Sequence, residues 1–126
     1  SQGNDLLVLR ETAHDFGKIQ QGRPTTHAFL VENKARDTLQ IQNVQASCGC
    51  TTPVWSREPV APGRSSEINV GYNASAEGPF EKTVTIFYNG GQIKTLTIKG
   101  SVYKMPTTPA PLNTTVQLFK QTNTNL

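Results

Sequence analysis

Helical periodicity is missing from this chain: no segment of ten or more residues repeats its apolar positions with roughly the 3.6-residue period of an amphipathic helix. Helical bundles and α/β folds are thereby excluded. No apolar run approaches the ~20 residues of a membrane-spanning helix either. Charge is sparse, at 17% of residues, and the 12 Lys and Arg residues that leave a net charge of +3 are dispersed. Binding to nucleic acid needs a clustered basic stripe, usually with aromatic platforms, so that class is set aside. With only two cysteines in 126 residues, a disulfide-stapled miniature domain is excluded too, and at this length none is needed, because one core can bury about two thirds of the unfolded surface. No export signal opens the sequence. Ser1 is not an initiator, so the chain reads as a mature or trimmed form, and the missing signal does not speak against secretion.

What is present is the composition of a turn-rich β protein: Thr, Asn, Gln, Gly and Ser fill the space left by low charge and a hydrophobic fraction of 35%. Short β-type runs recur about every ten residues, each closed by Gly, Pro, Asn or Asp, the pattern of a sandwich or barrel. We place them at residues 6–11, 16–19, 25–32, 38–46, 64–72, 80–88 and 92–103. The run at 25–32 is nearly apolar on both faces and is expected at the centre of a sheet, with His27, Phe29 and Val31 on one side. In 38–46, Val44 falls out of phase with Leu39 and Ile41, which predicts a bulge or bend before the cysteines. Ile68, Val70 and Tyr72 alternate cleanly with polar residues. Asn89-Gly90-Gly91 between two alternating runs predicts a hairpin whose core face carries Val84, Ile86, Tyr88, Leu96, Ile98 and Val102. The expected fold is an all-β, immunoglobulin-like antiparallel sandwich of about seven strands over residues 1–104.

Beyond that, Pro106, Pro109 and Pro111 cannot continue a ladder. Residues 105–126 are expected to form an extended or partly disordered tail, in which 115–119 is the stretch best able to pair as an edge strand or dock a partner.

Both cysteines lie in Ser47-Cys48-Gly49-Cys50-Thr51-Thr52-Pro53. Two thiols on alternate residues can form a tight disulfide, chelate a soft metal or simply be small buried groups. By the chain-entropy relation a three-residue loop contributes only about 1.6 kcal/mol, so stapling the fold is a weak reason for the pair. We rank a purely structural role first, thiol-redox exchange second and soft-metal binding third. Cuprous ion accepts two thiolates, whereas zinc is the least attractive metal, since a structural site wants four ligands and the two cysteines, His14 and His27 stand at no recognised spacing. His27, in phase with Phe29, reads as a half-buried, satisfied imidazole rather than a ligand. Gly49 is expected to supply a positive φ at the bend. The candidate thiol site is therefore Cys48, Gly49 and Cys50, flanked by a surface of Thr51, Pro53 and Trp55. Trp55 is read first as a cap on the core, and otherwise as part of that surface.

Other motifs carry little. Asp15-Phe16-Gly17 spells a kinase metal-binding triplet, but the chain is too short for a kinase and has no glycine loop or catalytic loop. It reads as a Phe anchor beside a Gly turn. Asn73-Ala74-Ser75 and Asn113-Thr114-Thr115 are glycosylation acceptors only in a eukaryotic secretory host. The nine carboxylates are scattered, with no catalytic spacing.

Taken together, Phe16-Gly17-Lys18-Ile19, Gly22, Phe29, Val31-Glu32-Asn33, Leu39-Gln40-Ile41, Ser47-Cys48-Gly49-Cys50-Thr51, Pro59, Ala61-Pro62-Gly63, Val70 and Tyr72 resemble a bacterial family known as domain of unknown function 1573. The resemblance covers residues 12–103. It implies an immunoglobulin-like sandwich in the style of PapD and major-sperm-protein modules, found in exported bacterial proteins and carrying no established activity. The resulting expectation is a non-enzymatic structural or protein-interaction module, without cofactor, in the periplasm, envelope or extracellular space. Its partner is expected to be protein. The alternative is a periplasmic thiol-redox or copper-binding protein acting through Cys48 and Cys50.

Overall fold

Alternating apolar residues bury one face of each strand, and two such faces closing on one another exclude water from both. In the computed structural model, which describes residues 6–105, this produces eight strands and no helix. They are β1 (Val8–Leu9), β2 (Ala13–Gln20), β3 (Thr25–Glu32), β4 (Ile41–Ala46), β5 (Thr51–Val54), β6 (Ser65–Tyr72), β7 (Gly78–Tyr88) and β8 (Gln92–Tyr103). One sheet has the order β1-β3-β6-β5 and the other β2-β8-β7-β4. Phe29, Val31, Ile68, Val70 and Tyr72 from the first meet Val84, Ile86, Tyr88, Leu96, Ile98 and Val102 from the second in one buried core. Every residue expected on the hairpin's core face lies in it.

The architecture is the immunoglobulin-like sandwich expected from the sequence, with β3 inside its sheet, between β1 and β6. A register shift between Ile41 and Asn43 is the bulge that the phase of Val44 predicts. Asn89 and Gly90 both take positive φ in the β7–β8 turn, as an Asn-Gly hairpin requires. Three details differ. The first strand is shorter than 6–11: Leu6 and Leu7 are buried, but only Val8 and Leu9 join a ladder. The stretch at 16–19 is part of an eight-residue strand, β2, that pairs parallel to β8, so the sandwich is not wholly antiparallel. A bulge between Asp15 and Lys18, with Gly17 at φ 72°, interrupts its period-two pattern. Finally, β5 is an eighth strand that begins directly after the cysteines. The expectation for the tail falls outside the described residues.

Two buried devices join the loops to this frame. Asn33 is fully buried; its Nδ2 donates to the carbonyls of Asp37 and Val60, both at 2.8 Å, and its Oδ1 accepts from the Ala35 amide at 3.0 Å. Its backbone also accepts from Gly63 and donates to the Arg64 carbonyl. Gly100 lies on the inner face of β8 opposite Phe80, whose ring covers it and stacks on Tyr72 with centroids 3.9 Å apart.

Candidate functional site

The cysteines lie where the chain leaves one sheet for the other, since β4 and β5 belong to different sheets. Ser47 fastens the departure: its amide donates to the Thr83 carbonyl at 2.9 Å and its hydroxyl accepts from the Thr83 amide at 3.1 Å. Residues 48–51 then make a tight turn closed by the Thr51 amide on the Cys48 carbonyl, 3.2 Å apart. The Asn73 amide donates to the Cys50 carbonyl at 3.0 Å and fixes the arrival beside β6. Within this turn Cys48 and Cys50 are joined by a disulfide, with Cα atoms 5.3 Å apart.

Gly49 departs from expectation. Its φ is not positive, and a Cβ there would meet open space. The reversal uses backbone angles open to any residue, as many β-turns do, so the glycine is not a steric requirement of the bend. Both cysteines are half-buried, and their sulfurs meet uncharged hydrogen-bonding groups: the Cys50 amide donates to Cys48 Sγ at 3.0 Å, and the Thr51 hydroxyl lies 3.6 Å from Cys50 Sγ and 4.0 Å from Cys48 Sγ. A reactive thiol needs a nearby cation or helix N-terminus to stabilise its thiolate. These contacts supply neither.

The flanking residues divide. Thr51 is not on the surface assigned to it; it is buried, opposite Tyr72, because odd positions of β5 face inward. Pro53 is half-buried on the same face. Val54 is 61% exposed. Trp55 packs half-buried against the core, as a cap does, while the Arg57 guanidinium sits 4.7 Å above its ring and donates to the Gln42 carbonyl. Since the Cys50 carbonyl faces β6, alternation turns the nitrogen of Pro53 toward the open edge. The edge therefore lacks a donor where another strand would pair.

A second constellation is not visible in the sequence pattern. His14 on β2 is in register with Ile98 and His27 on β3 with Val70, so both imidazoles point inward from opposite sheets. They stack with centroids 3.5 Å apart and planes within 7°. Phe16 meets His14 edge-on and Phe29 meets His27 likewise. His27 Nε2 is hydrogen-bonded to the Glu11 carboxylate, so the expected half-buried, partnered imidazole is found. The sequence gives no comparable expectation for His14. Its phase with Phe16 is the available signal, obscured by the bulge just after it.

These features describe an immunoglobulin-like sandwich with a disulfide-closed crossover between its sheets. Residues 7–102 match the family model DUF1573, described as a protein of unknown function, and the chain belongs to that family. No curated protein matches it significantly. Among solved structures, a protein of unknown function from Porphyromonas gingivalis W83 is 19% identical with a TM-score of 0.66, over 79% of this chain and 48% of that one. The chain thus spans about half the length of that protein. The seventh PapD-like domain of human CEP192 is 5% identical with a TM-score of 0.67, over 82% of this chain and 89% of the domain. The Vibrio cholerae protease VesB is 15% identical with a TM-score of 0.63 over 77% of this chain, but only 32% of the protease is covered. At such identities the likeness is one of fold.

Proposed function

We propose that this chain is a non-enzymatic interaction module of an exported bacterial protein, which presents the disulfide-closed crossover and the end of β5 to a protein partner. The observation that carries this reading is the surface just after the cysteines. There an exposed Val54 stands beside Trp55 and its stacked Arg57, on a segment anchored at one end by the disulfide and by hydrogen bonds to β7 and Asn73. Trp and Arg on a rigid support are the residue types that dominate binding energy at interfaces, and preorganisation lowers the entropy lost on association. Because Pro53 blunts the strand edge, recognition here proceeds through side chains rather than by strand addition. A disulfide is at home in an oxidising compartment, which favours export. The hydrogen-bond contacts of both sulfurs, a backbone amide and a hydroxyl, are uncharged and count against thiol-exchange chemistry.

A photo-crosslinking residue at position 54, compared with one at Ile93, which is similarly exposed on the other sheet, tests the surface in the native host. A discrete adduct from position 54 alone, abolished by Arg57→Glu, is expected. The absence of an adduct, or identical adducts from both positions, would refute it. Rapid turnover of the disulfide by a thiol substrate would instead establish the redox reading.

A further inference from the structure

The geometry points to a second site, for a divalent transition-metal ion, formed by Glu11, His14 and His27 where the two sheets face one another and independent of the cysteines. One ligand atom from each of the three lies within 4.8 Å of the other two. The donor set is two imidazole nitrogens and one carboxylate oxygen, which suits zinc, copper, nickel or iron and matches the three-ligand pattern of zinc sites that leave a fourth position for water. Neither ring nitrogen of His14 has a hydrogen-bond partner among the described residues, so its lone pair is available. Glu11 is 43% exposed at its side chain and His27 24%, which leaves a route for the ion. Tetrahedral ligands about 2.0–2.1 Å from a zinc ion stand roughly 3.3 Å apart, so the stacked rings must splay by side-chain rotation. The edges of Phe16 and Phe29 limit where the rings can go.

The placement gives the ion a physical consequence. His14 belongs to the sheet of β8 and β7, and His27 to the sheet of β6 and β5. A shared metal would cross-link the two sheets, and an ion that binds only the folded chain raises its stability in proportion to the logarithm of metal concentration. The carboxylate that now holds His27 becomes the third ligand.

Calorimetric titration of the intact, oxidised chain with Zn2+ is the test, with Co2+ absorption and Cu2+ electron paramagnetic resonance as independent reports on the ligands. We expect one ion per chain, a thermal midpoint that rises with Zn2+, and nitrogen hyperfine structure from two imidazoles. His14→Ala and His27→Gln should each weaken binding by at least about tenfold, and Glu11→Gln by less, with circular dichroism showing that each variant folds. Cys48→Ser with Cys50→Ser should leave affinity unchanged. Absence of saturable binding by all three ions at millimolar concentration overturns the proposal. So does binding that survives in both histidine variants, or that disappears only with the cysteines.

Discussion

Replacing Asn33 by Asp changes almost no volume and reverses the chemistry of one buried group. Nδ2 now donates to two carbonyl oxygens at 2.8 Å; a carboxylate would set an acceptor against both. Leaving buried acceptors unpaired costs about 1–3 kcal/mol each, so a loss on the order of 3–5 kcal/mol is expected near neutral pH, a large fraction of a typical ~5–15 kcal/mol. The loss should depend on pH. Burial and the facing carbonyls favour the protonated carboxyl, which can still donate to one of them, so the introduced group titrates in the folded chain above its unfolded value of about 3.9. Its folded state holds a proton that the unfolded state releases; the variant is therefore least handicapped below about pH 3.9 and loses stability, by up to about 1.4 kcal/mol per pH unit, as pH rises through the folded pKa. Asn33→Ala, with no titrating group, should carry a constant deficit. Urea unfolding of both variants and the parent at several pH values, followed by the fluorescence of the single tryptophan, Trp55, measures this. A deficit for Asn33→Asp below about 1 kcal/mol at pH 7, or one that does not change with pH, would show that the amide does not organise these loops.

A Cβ on Gly100 would come within 2.9 Å of the Gly17 carbonyl oxygen and two Phe80 ring carbons, so Gly100→Ala should cost about 1–3 kcal/mol. Gly71→Ala, whose nearest neighbours would be at 3.6 Å, should be neutral or stabilising by about 0.4–1 kcal/mol; equal midpoints for the two variants would contradict the contacts. Cys48→Ser with Cys50→Ser should leave a folded β protein destabilised by about 1–3 kcal/mol, since so short a loop constrains little of the unfolded ensemble, and loss of the β-sheet circular dichroism signal would overturn that. Deleting residues 106–126 should preserve cooperative unfolding, because the last buried core residue among those described is Val102; a broad, non-cooperative melt would refute it.

The parts of this fold that were legible in the sequence are those governed by local alternation. Ile68, Val70 and Tyr72 in β6, Val84, Ile86 and Tyr88 in β7, and Leu96 and Ile98 in β8 put apolar residues at every second position, so these inward faces could be read directly. β2 could not, because the bulge at Gly17 shifts its phase and because its partner, β8, lies about 80 residues away in a parallel pairing that no hairpin signal announces. β5 was hidden by its four-residue length and by Pro53, which ordinarily argues against a strand and here occupies an edge. The sites divide along the same line. Cys48 and Cys50 are neighbours in sequence and hence visible. Glu11, His14 and His27 become neighbours only when two sheets close on one another, and no spacing along the chain encodes that meeting.

The residues that carried the family resemblance mostly have structural tasks. Asn33 ties its loop to Val60 and to the turn at Gly63; Phe16 packs on the core beside the Gly17 bulge; Tyr72 stacks on Phe80, which in turn covers Gly100. Each position is explained by burial or backbone geometry without a ligand. The Cys48–Cys50 turn is different, since the crossover is already held by Ser47 to Thr83 on one side and by Asn73 to Cys50 on the other. A short disulfide added to a turn that main-chain hydrogen bonds already close contributes little to global stability and much to local rigidity. Rigidity at that place serves the neighbouring surface, the exposed Val54 and the Trp55–Arg57 pair. The functional prediction is accordingly narrow: reducing the disulfide should weaken recognition through position 54 while the chain stays folded and unfolds cooperatively, its thermal midpoint lowered by about 4–8 °C for each kcal/mol lost. Unaltered crosslinking from position 54 in the Cys48→Ser, Cys50→Ser chain would separate the disulfide from the interaction surface and leave it without a role in recognition.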